Sequence, residues 1–526
     1  MAHGVGGTFH WQKAFCLAMC CLFLGCNAEA AHRKHFPPTP SPTPTPVTTP
    51  TPSPTPTPTP TPTPSPTPST GTPTLEQNLS TASNLDVLDN GLGTGNPGNP
   101  FYLNLPNPTG AGNCVILSVT CPYNPARTIQ ISDNGSNTWT LAGTINNGAT
   151  MSSVYVALNV QAGLQNITVT YDTQLYDCQF DVSTFYNVAA ASALDGSSAQ
   201  VTSGTGTISS GTLVTTGTGD LVYQYGYDVA SPNQGATTLS QITSGSGFNL
   251  LSADVFLGTF AQYAVQAAPG PITPSVSLSG STDSFNTISV ALLSASQGTA
   301  PLPGIRIKSV QHFWYNRDIA AQFPCSGNLL YLTTAFGMNT SNAVLSTVTD
   351  SRGNTWTETE VPSAATPQTF YAGNASTSSD FSFYVPGTDA PANGCSFIVY
   401  DIEGADPNPF DTQSFSDLEN PVFPGQFQTL SITPSTSNGL VIATLAVDFF
   451  AITGYGPGTF DTVTYGHIAD NNEFGADTMD NCDGYGHYYN PDTSPINFTW
   501  ILTGGESFFE EGLAVAFKSG VPGQSP

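Results

Sequence analysis

Short stretches in which apolar and polar residues alternate at every second position recur along this chain, each stopped by a cluster of Gly, Asn, Asp or Pro. Asn166 to Tyr171, Cys178 to Tyr186, Leu221 to Tyr227, Cys395 to Ile402 and Asn497 to Leu502 are examples, rich in Val, Ile, Thr, Phe and Tyr. A period of two sends alternate side chains to opposite faces of a pleated strand, a surface that β-branched and aromatic residues fit well. No window holds an apolar 3.6-residue period over three turns with caps, so the pattern predicts strands nearly throughout and few, brief helices.

The pattern is also duplicated. Ser132-Asp133-Asn134-Gly135-Ser136-Asn137-Thr138-Trp139-Thr140 is answered by Thr349-Asp350-Ser351-Arg352-Gly353-Asn354-Thr355-Trp356-Thr357, and Asp133 and Asp350 stand 217 positions apart. Cys178 and Cys395 stand 217 apart as well. Gly112-Asn113 answers Gly327-Asn328, Gly219-Asp220-Leu221-Val222 answers Asn438-Gly439-Leu440-Val441, and the closing strands Ile288 to Leu292 and Leu513 to Phe517 are alike. Equal spacing of so many anchors marks a repeated unit. We read one module over 75–298, a second over 303–519 and a short tail over 520–526. A module of that size needs about ten or more strands of ordinary length, which favours two packed antiparallel sheets. The expected fold is all-β: two tandem antiparallel β-sandwiches of jelly-roll type, following a disordered Pro/Thr-rich linker.

Residues 1–30 read as a secretory signal. Ala14 to Gly25 is an apolar run, shorter than the roughly 20 residues that span a bilayer as a helix. Leu22-Phe23-Leu24-Gly25-Cys26 resembles a lipobox, which makes Cys26 the candidate for lipidation, whereas Ala28-Glu29-Ala30 offers ordinary cleavage. Residues 31–74 form the linker, nearly pure Thr-Pro and Ser-Pro from Pro37 onward. Proline fixes φ and removes the amide donor, so such a tract stays in an extended polyproline form and reaches on the order of 100 Å if stiff.

Charge narrows the partners. Asp and Glu number 36 against 9 Lys and Arg, for a net charge of −27, and Arg127 is the only basic residue of the first module. Without cationic patches to neutralise phosphates, nucleic acid and anionic lipid surfaces are poor partners, and the membrane is reached only through an N-terminal lipid.

The shared D-x-x-x-N-T-W segment has a direct physical use: Asp, Asn and Gly make a hairpin turn, and Trp139 or Trp356 re-enters a strand with its ring against the sandwich. Its oxygens also offer a Ca²⁺ reading through Asp133 and Asn137, or Asp350 and Asn354. This turn, with the apolar strands that follow, resembles the repeated β-sandwich modules of large exported bacterial proteins, whose shape is similar to lectin-like and carbohydrate-binding jelly rolls. The resemblance implies an extracellular binding or scaffold role and carries over no catalytic residue.

Four groups of residues are candidates for further chemistry. Tyr223, Tyr225 and Tyr227 share one strand face and form a candidate platform for stacking sugar rings, with core packing as the alternative. Asp470, Glu473, Asp477, Asp480 and Asp483 crowd five carboxylates into one loop that Ca²⁺ would relieve, with a solvated acidic loop as the alternative. Asp401 and Glu403 lie on one strand face, the residue pair that glycosidic hydrolysis uses. Among the cysteines after the signal, Cys114 or Cys121 with Cys178, and Cys325 with Cys395, are the expected disulfides of an exported protein, and Cys482 is left over.

No G-x-S-x-G, H-E-x-x-H or P-loop motif occurs. The expectation is an exported, surface-tethered, non-catalytic protein that offers two modules for adhesion or glycan binding, its partner an extracellular glycan or a cell-surface or matrix protein. A structural surface-layer component and a secreted polysaccharide hydrolase are the rivals. Calcium is the one cofactor considered.

Overall fold

The computed structural model describes residues 71–83, 100–172, 178–202, 206–228, 241–255, 258–280, 284–315, 319–336, 347–359, 368–385, 395–419, 427–450, 459–460, 467–473, 480–501 and 506–521. Among these every regular element is a strand, as the period-two pattern predicts. The signal region, Cys26 and most of the Pro/Thr tract lie outside the described residues.

The first eight strands are β1 (Thr74–Ser83), β2 (Phe101–Asn104), β3 (Cys114–Pro122), β4 (Ile129–Asp133), β5 (Trp139–Asn146), β6 (Thr150–Ala157), β7 (Asn166–Tyr171) and β8 (Cys178–Tyr186). They form a five-stranded array β5-β6-β3-β8-β1 and a three-stranded sheet β4-β7-β2. Next come β9 (Leu194–Thr202), β10 (Thr207–Ser209), β11 (Leu213–Thr215), β12 (Asp220–Asp228), β13 (Gln241–Ser244), β14 (Asn249–Asp254), β15 (Thr259–Gln266), β16 (Gly270–Ile272), β17 (Ser275–Ser279) and β18 (Phe285–Leu292). With the β11-β16 ribbon set aside, the order β14-β15-β12-β18-β9 and β13-β17-β10 is the same one.

The second half repeats it twice more. Its third set is β19 (Arg306–Tyr315), β20 (Ile319–Gln322), β21 (Leu329–Phe336), β22 (Thr349–Asp350), β23 (Thr357–Glu358), β24 (Gln368–Gly373), β25 (Ser382–Val385) and β26 (Cys395–Glu403). The fourth is β27 (Ala405–Glu419), β28 (Phe427–Ile432), β29 (Gly439–Phe450), β30 (Thr459–Phe460), β31 (His467–Glu473), β32 (Asp480–Asn490), β33 (Ile496–Ile501) and β34 (Glu506–Ser519). In every set the first, eighth, third, sixth and fifth strands make the large sheet, and the second, seventh and fourth the small one. Each 217-residue repeat thus holds two such five-plus-three units among the described residues.

The large sheets of the first and third sets join edge to edge. β1 and β19 pair in parallel, Asn78 with Ser309, Leu79 with Val310 and Ser80 with Gln311, giving a ten-stranded sheet. Equivalent strands paired in parallel relate the two halves by a turn about the strand direction, and that turn exchanges the faces of the sheet. One face packs Leu117 and Phe180 against Leu103 and Val169 of the first small sheet, and Tyr331 and Ile402 against Leu440 and Phe517 of the fourth set. On the other face Ile116 and Val154 meet Tyr223 and Ile288 of the second set, whereas Leu330 and Val399 meet Ala321 and Phe383. Alternation along each strand feeds both cores at once.

Buried polar side chains lock the seam. Arg306 Nη1 donates to the Glu76 carbonyl at 2.8 Å, Asn107 Nδ2 to the Ile307 carbonyl at 2.6 Å, and Gln311 Nε2 to the Ala253 carbonyl at 2.8 Å. The two amide bonds are each worth about 1 kcal/mol net and the one from the Arg306 guanidinium about 1.5–3 kcal/mol, and replacing one partner by an apolar residue would leave the other buried and unpaired at a further cost.

Candidate functional site

The D-x-x-x-N-T-W turn closes on its own aspartate. Asp133 Oδ1 accepts from the backbone N–H of Gly135 at 2.8 Å and of Asn137 at 3.1 Å, and Oδ2 accepts from the Trp139 indole at 2.8 Å. Asp350 repeats the arrangement with Arg352 N–H at 2.7 Å, Asn354 N–H at 3.2 Å and the Trp356 indole at 2.7 Å. Asn137 and Asn354 then accept from the backbone of a neighbouring loop, at Gln161 and Ser376. The expected hairpin is corrected: β4 and β22 pair within the small sheets and β5 and β23 within the large one, so the turn carries the chain from one sheet to the other, and the Ca²⁺ reading gives way to the carboxylates' part in that crossing.

The shifted glycine of the motif also has a physical explanation. The third residue after each aspartate is left-handed, with φ 70° at Gly353 but φ 53° at Ser136. A side chain is strained there, so Ser136→Gly is expected to stabilise the first turn by about 0.5–1 kcal/mol, read as a higher urea midpoint with unchanged slope.

Tyr223, Tyr225 and Tyr227 do share a face, but it is an interior one: their exposures are 0%, 2% and 1%. The platform expectation is therefore corrected to core packing between the first two sandwiches. Period alone assigns residues to one face without saying whether that face meets water or a second sheet. The hydroxyl of Tyr223 shares a hydrogen bond with Ser118 Oγ at 2.8 Å, and that of Tyr225 one with Thr120 Oγ1 at 3.0 Å. Tyr223 also donates to Asp181 at 3.1 Å. Ser252 Oγ at 2.6 Å, Asn78 Nδ2 at 3.2 Å and Ser183 Oγ at 3.3 Å complete the shell of this buried acid. Burial pushes the Asp181 carboxyl up to about 6, and the hydrogen bonds from Ser252, Asn78 and Tyr223 oppose the rise.

Asp401 and Glu403 fall on one strand face and into different tasks. Asp401 is buried and accepts from the backbone N–H of Ser326 at 2.9 Å and Gly327 at 2.7 Å; burial pushes its carboxyl up to about 6. Glu403 pairs with Arg306 at 2.6 Å and Lys308 at 3.5 Å. Of the acidic loop, Asp470 and Glu473 lie on β31 and Asp480 and Asp483 on β32, with Glu473 opposite Asp480 and Ala469 opposite Asp483. Asp477 and the side chains of the other four lie outside the described residues.

The cysteine expectations are revised by register. No disulfide joins Cys114, Cys121, Cys178 and Cys325. Cys114 is opposite Phe185, at the far end of β8 from Cys178, and packs on the other face of the sheet from Cys121, so it cannot reach Cys178. Cys325 precedes β21, whose Leu329 pairs with Ile402, whereas Cys395 pairs with Phe336 at the opposite end, roughly 20 Å away along the strand. Cys121 and Cys178 do adjoin, one step beyond the Thr120–Gln179 pair, within one core. Burial pushes the Cys121 thiol up to about 12. The side chains of Cys395 and Cys482 lie outside the described residues.

A cavity of about 460 Å³ opens where the first, second and third sandwiches meet. Its floor holds Asn78, Ser309 and Asp401, its wall the half-buried ring of Tyr263, and its rim the polar side chains of Asn249, Ser326 and Ser379. Lys308 also lines it. That lysine occupies a one-residue bulge between Ile307 and Ser309, the kind of irregularity that re-aims a side chain out of the ladder. Sequence reasoning missed Ser309, Lys308 and Tyr263, because the site is assembled from separate sheets, with Tyr263 standing 45 positions before Lys308, and no local pattern announces it. No known protein family matches the chain, and neither does any curated protein.

Proposed function

We propose that this chain is an exported, surface-tethered, non-catalytic protein that presents its β-sandwich modules for adhesion or glycan binding. The observation that carries this reading is the junction cavity: a concave site of ligand size, lined by hydroxyl and amide groups with one aromatic wall, which is the chemistry that grips sugars. Three further features support it. The strand order, with first, eighth, third and sixth strands adjacent, is that of a jelly roll whose fifth strand has moved to the larger sheet. The Pro/Thr tract directly precedes the first strand in sequence, as a tether would. Asp401 and Glu403, the pair a hydrolase would use, are occupied by a backbone turn and by two cations.

A glycan array probed with the full chain tests the proposal. Saturable binding to a restricted set of sugars is expected; silence across the array would overturn it. In that event the structural surface-layer reading, which the locked ten-stranded seam favours, would take its place.

A further inference from the structure

We infer that the junction cavity is a site for a neutral sugar of a glycan chain, opened by the loss of a plug that the other half of the molecule retains; this rests on the glycan-binding reading above. The two halves supply an internal comparison. β1 and β19 are equivalent and each carries a one-residue bulge, at Glu76 and at Lys308, so Gln77 corresponds to Ser309. Pro106-Asn107 follows β2 as Pro324-Cys325 follows β20. Counting back from the pairs Asp220–Gln266 and Gly439–Asn490, Tyr263 corresponds to His487.

At the junction of the third, fourth and first sandwiches these positions close on one another. Gln77 Nε2 donates to the Asn107 carbonyl at 2.8 Å and Gln77 Oε1 accepts from Asn107 N–H at 2.7 Å. His487 bonds the Pro106 carbonyl, and the Tyr489 hydroxyl donates to Asn107 while accepting from Ile307 N–H at 2.9 Å. At the other junction the same four positions are Ser309, Pro324, Cys325 and Tyr263, and all four line the cavity. Replacing Gln by Ser and Asn by Cys removes both long amides, and with them the plug.

What remains asks for a ligand. Ser309 is 5% exposed and its Oγ has no hydrogen-bond partner. A buried hydroxyl left unpaired is costly, and a ligand hydroxyl restores the bond. Lys308 is already faced by Glu403 at 3.5 Å and by the adjoining Asp401, so the cavity has no spare positive charge to select an acidic sugar. Rim hydroxyls and the Asn249 amide match an array of sugar hydroxyls, and the Tyr263 ring matches the apolar face of a pyranose.

The test uses the full chain on an array of neutral and acidic oligosaccharides, followed by calorimetry with the strongest binder. Ser309→Gln, which rebuilds the plug, and Tyr263→His are compared with Tyr384→Ser on a distant exposed strand position. Expected is a neutral saccharide whose affinity falls at least tenfold in both cavity variants and is unchanged in Tyr384→Ser, with all three melting cooperatively. Binding that survives Ser309→Gln and Tyr263→His within twofold overturns the cavity assignment and leaves glycan binding standing. Preference for acidic saccharides overturns the neutral class, and no binding at all overturns both readings.

Discussion

Gly404→Ala is expected to destabilise the protein by about 3 kcal/mol or more, among the largest losses a single methyl group can cause here. Gly404 links the third and fourth sandwiches with φ 73°, a left-handed conformation that costs an L-residue about 1–2 kcal/mol. The added Cβ would also overlap the carbonyl oxygen of Gly304, a backbone atom in the segment leading into β19 that no rotamer change can move aside. The Gly404 carbonyl is held in turn by the N–H of Gly520 at 2.8 Å, so the linker cannot swing away without loosening the end of the last strand. Chemical denaturation of the variant should show a lower midpoint. An unchanged midpoint would mean that the close approach of these two linkers is wrong.

The second large effect is a pH dependence centred on Asp181. Its carboxyl is pushed up to about 6 by burial, against about 3.9 for an ordinary aspartate. Below pH 4 both native and unfolded chains hold the proton and the group contributes no difference. Between pH 4 and 6 the unfolded chain releases its proton while the native chain keeps it, so native protein binds more protons and stability falls as pH rises. By pH 7 the accumulated loss is about 3 kcal/mol. Burial lowers His312 and His487 to about 4, and these imidazoles push the opposite way, with stability rising as pH rises from about 4 to 6.5. A comparison of wild type with Asp181→Asn cancels the histidines and Asp401, which both proteins share. Wild type should therefore lose stability relative to the variant as pH rises from 4 to 7. A relative gain over that interval would show that the network of Asn78, Tyr223 and Ser252 favours the charged form.

Features held by neighbours in sequence were legible in the chain, and features held by distant strands were not. The turn at Asp133 and Asp350 is written in consecutive residues, and its hydrogen bonds fall where the residue types place them. The all-strand character follows from a period that each strand carries by itself. The division of each repeat into two sandwiches left no trace, because β12 and β3 share an order in their sheets but no turn signature. Tyr223, Tyr225 and Tyr227 show a related ambiguity: alternation gave the face, and only the packing of a second sheet gave its surroundings. Ser309 was invisible for the same reason. Its meaning comes from Gln77, an equivalent residue in the other half, and the bulges at Glu76 and Lys308 that set the alignment are properties of pairing, not of composition.

The parallel seam between β1 and β19 is what fuses the sandwiches into one body and creates two inequivalent junctions, so it is the feature to measure. Amide hydrogen exchange read by mass spectrometry on peptides covering Asn78–Ser80 and Ser309–Gln311 addresses it directly. Both segments should exchange as slowly as the interior strands β3 and β21, since each is hydrogen-bonded on both sides. Fast exchange of either segment, as for an exposed sheet edge, would contradict the ten-stranded sheet and remove the cavity with it.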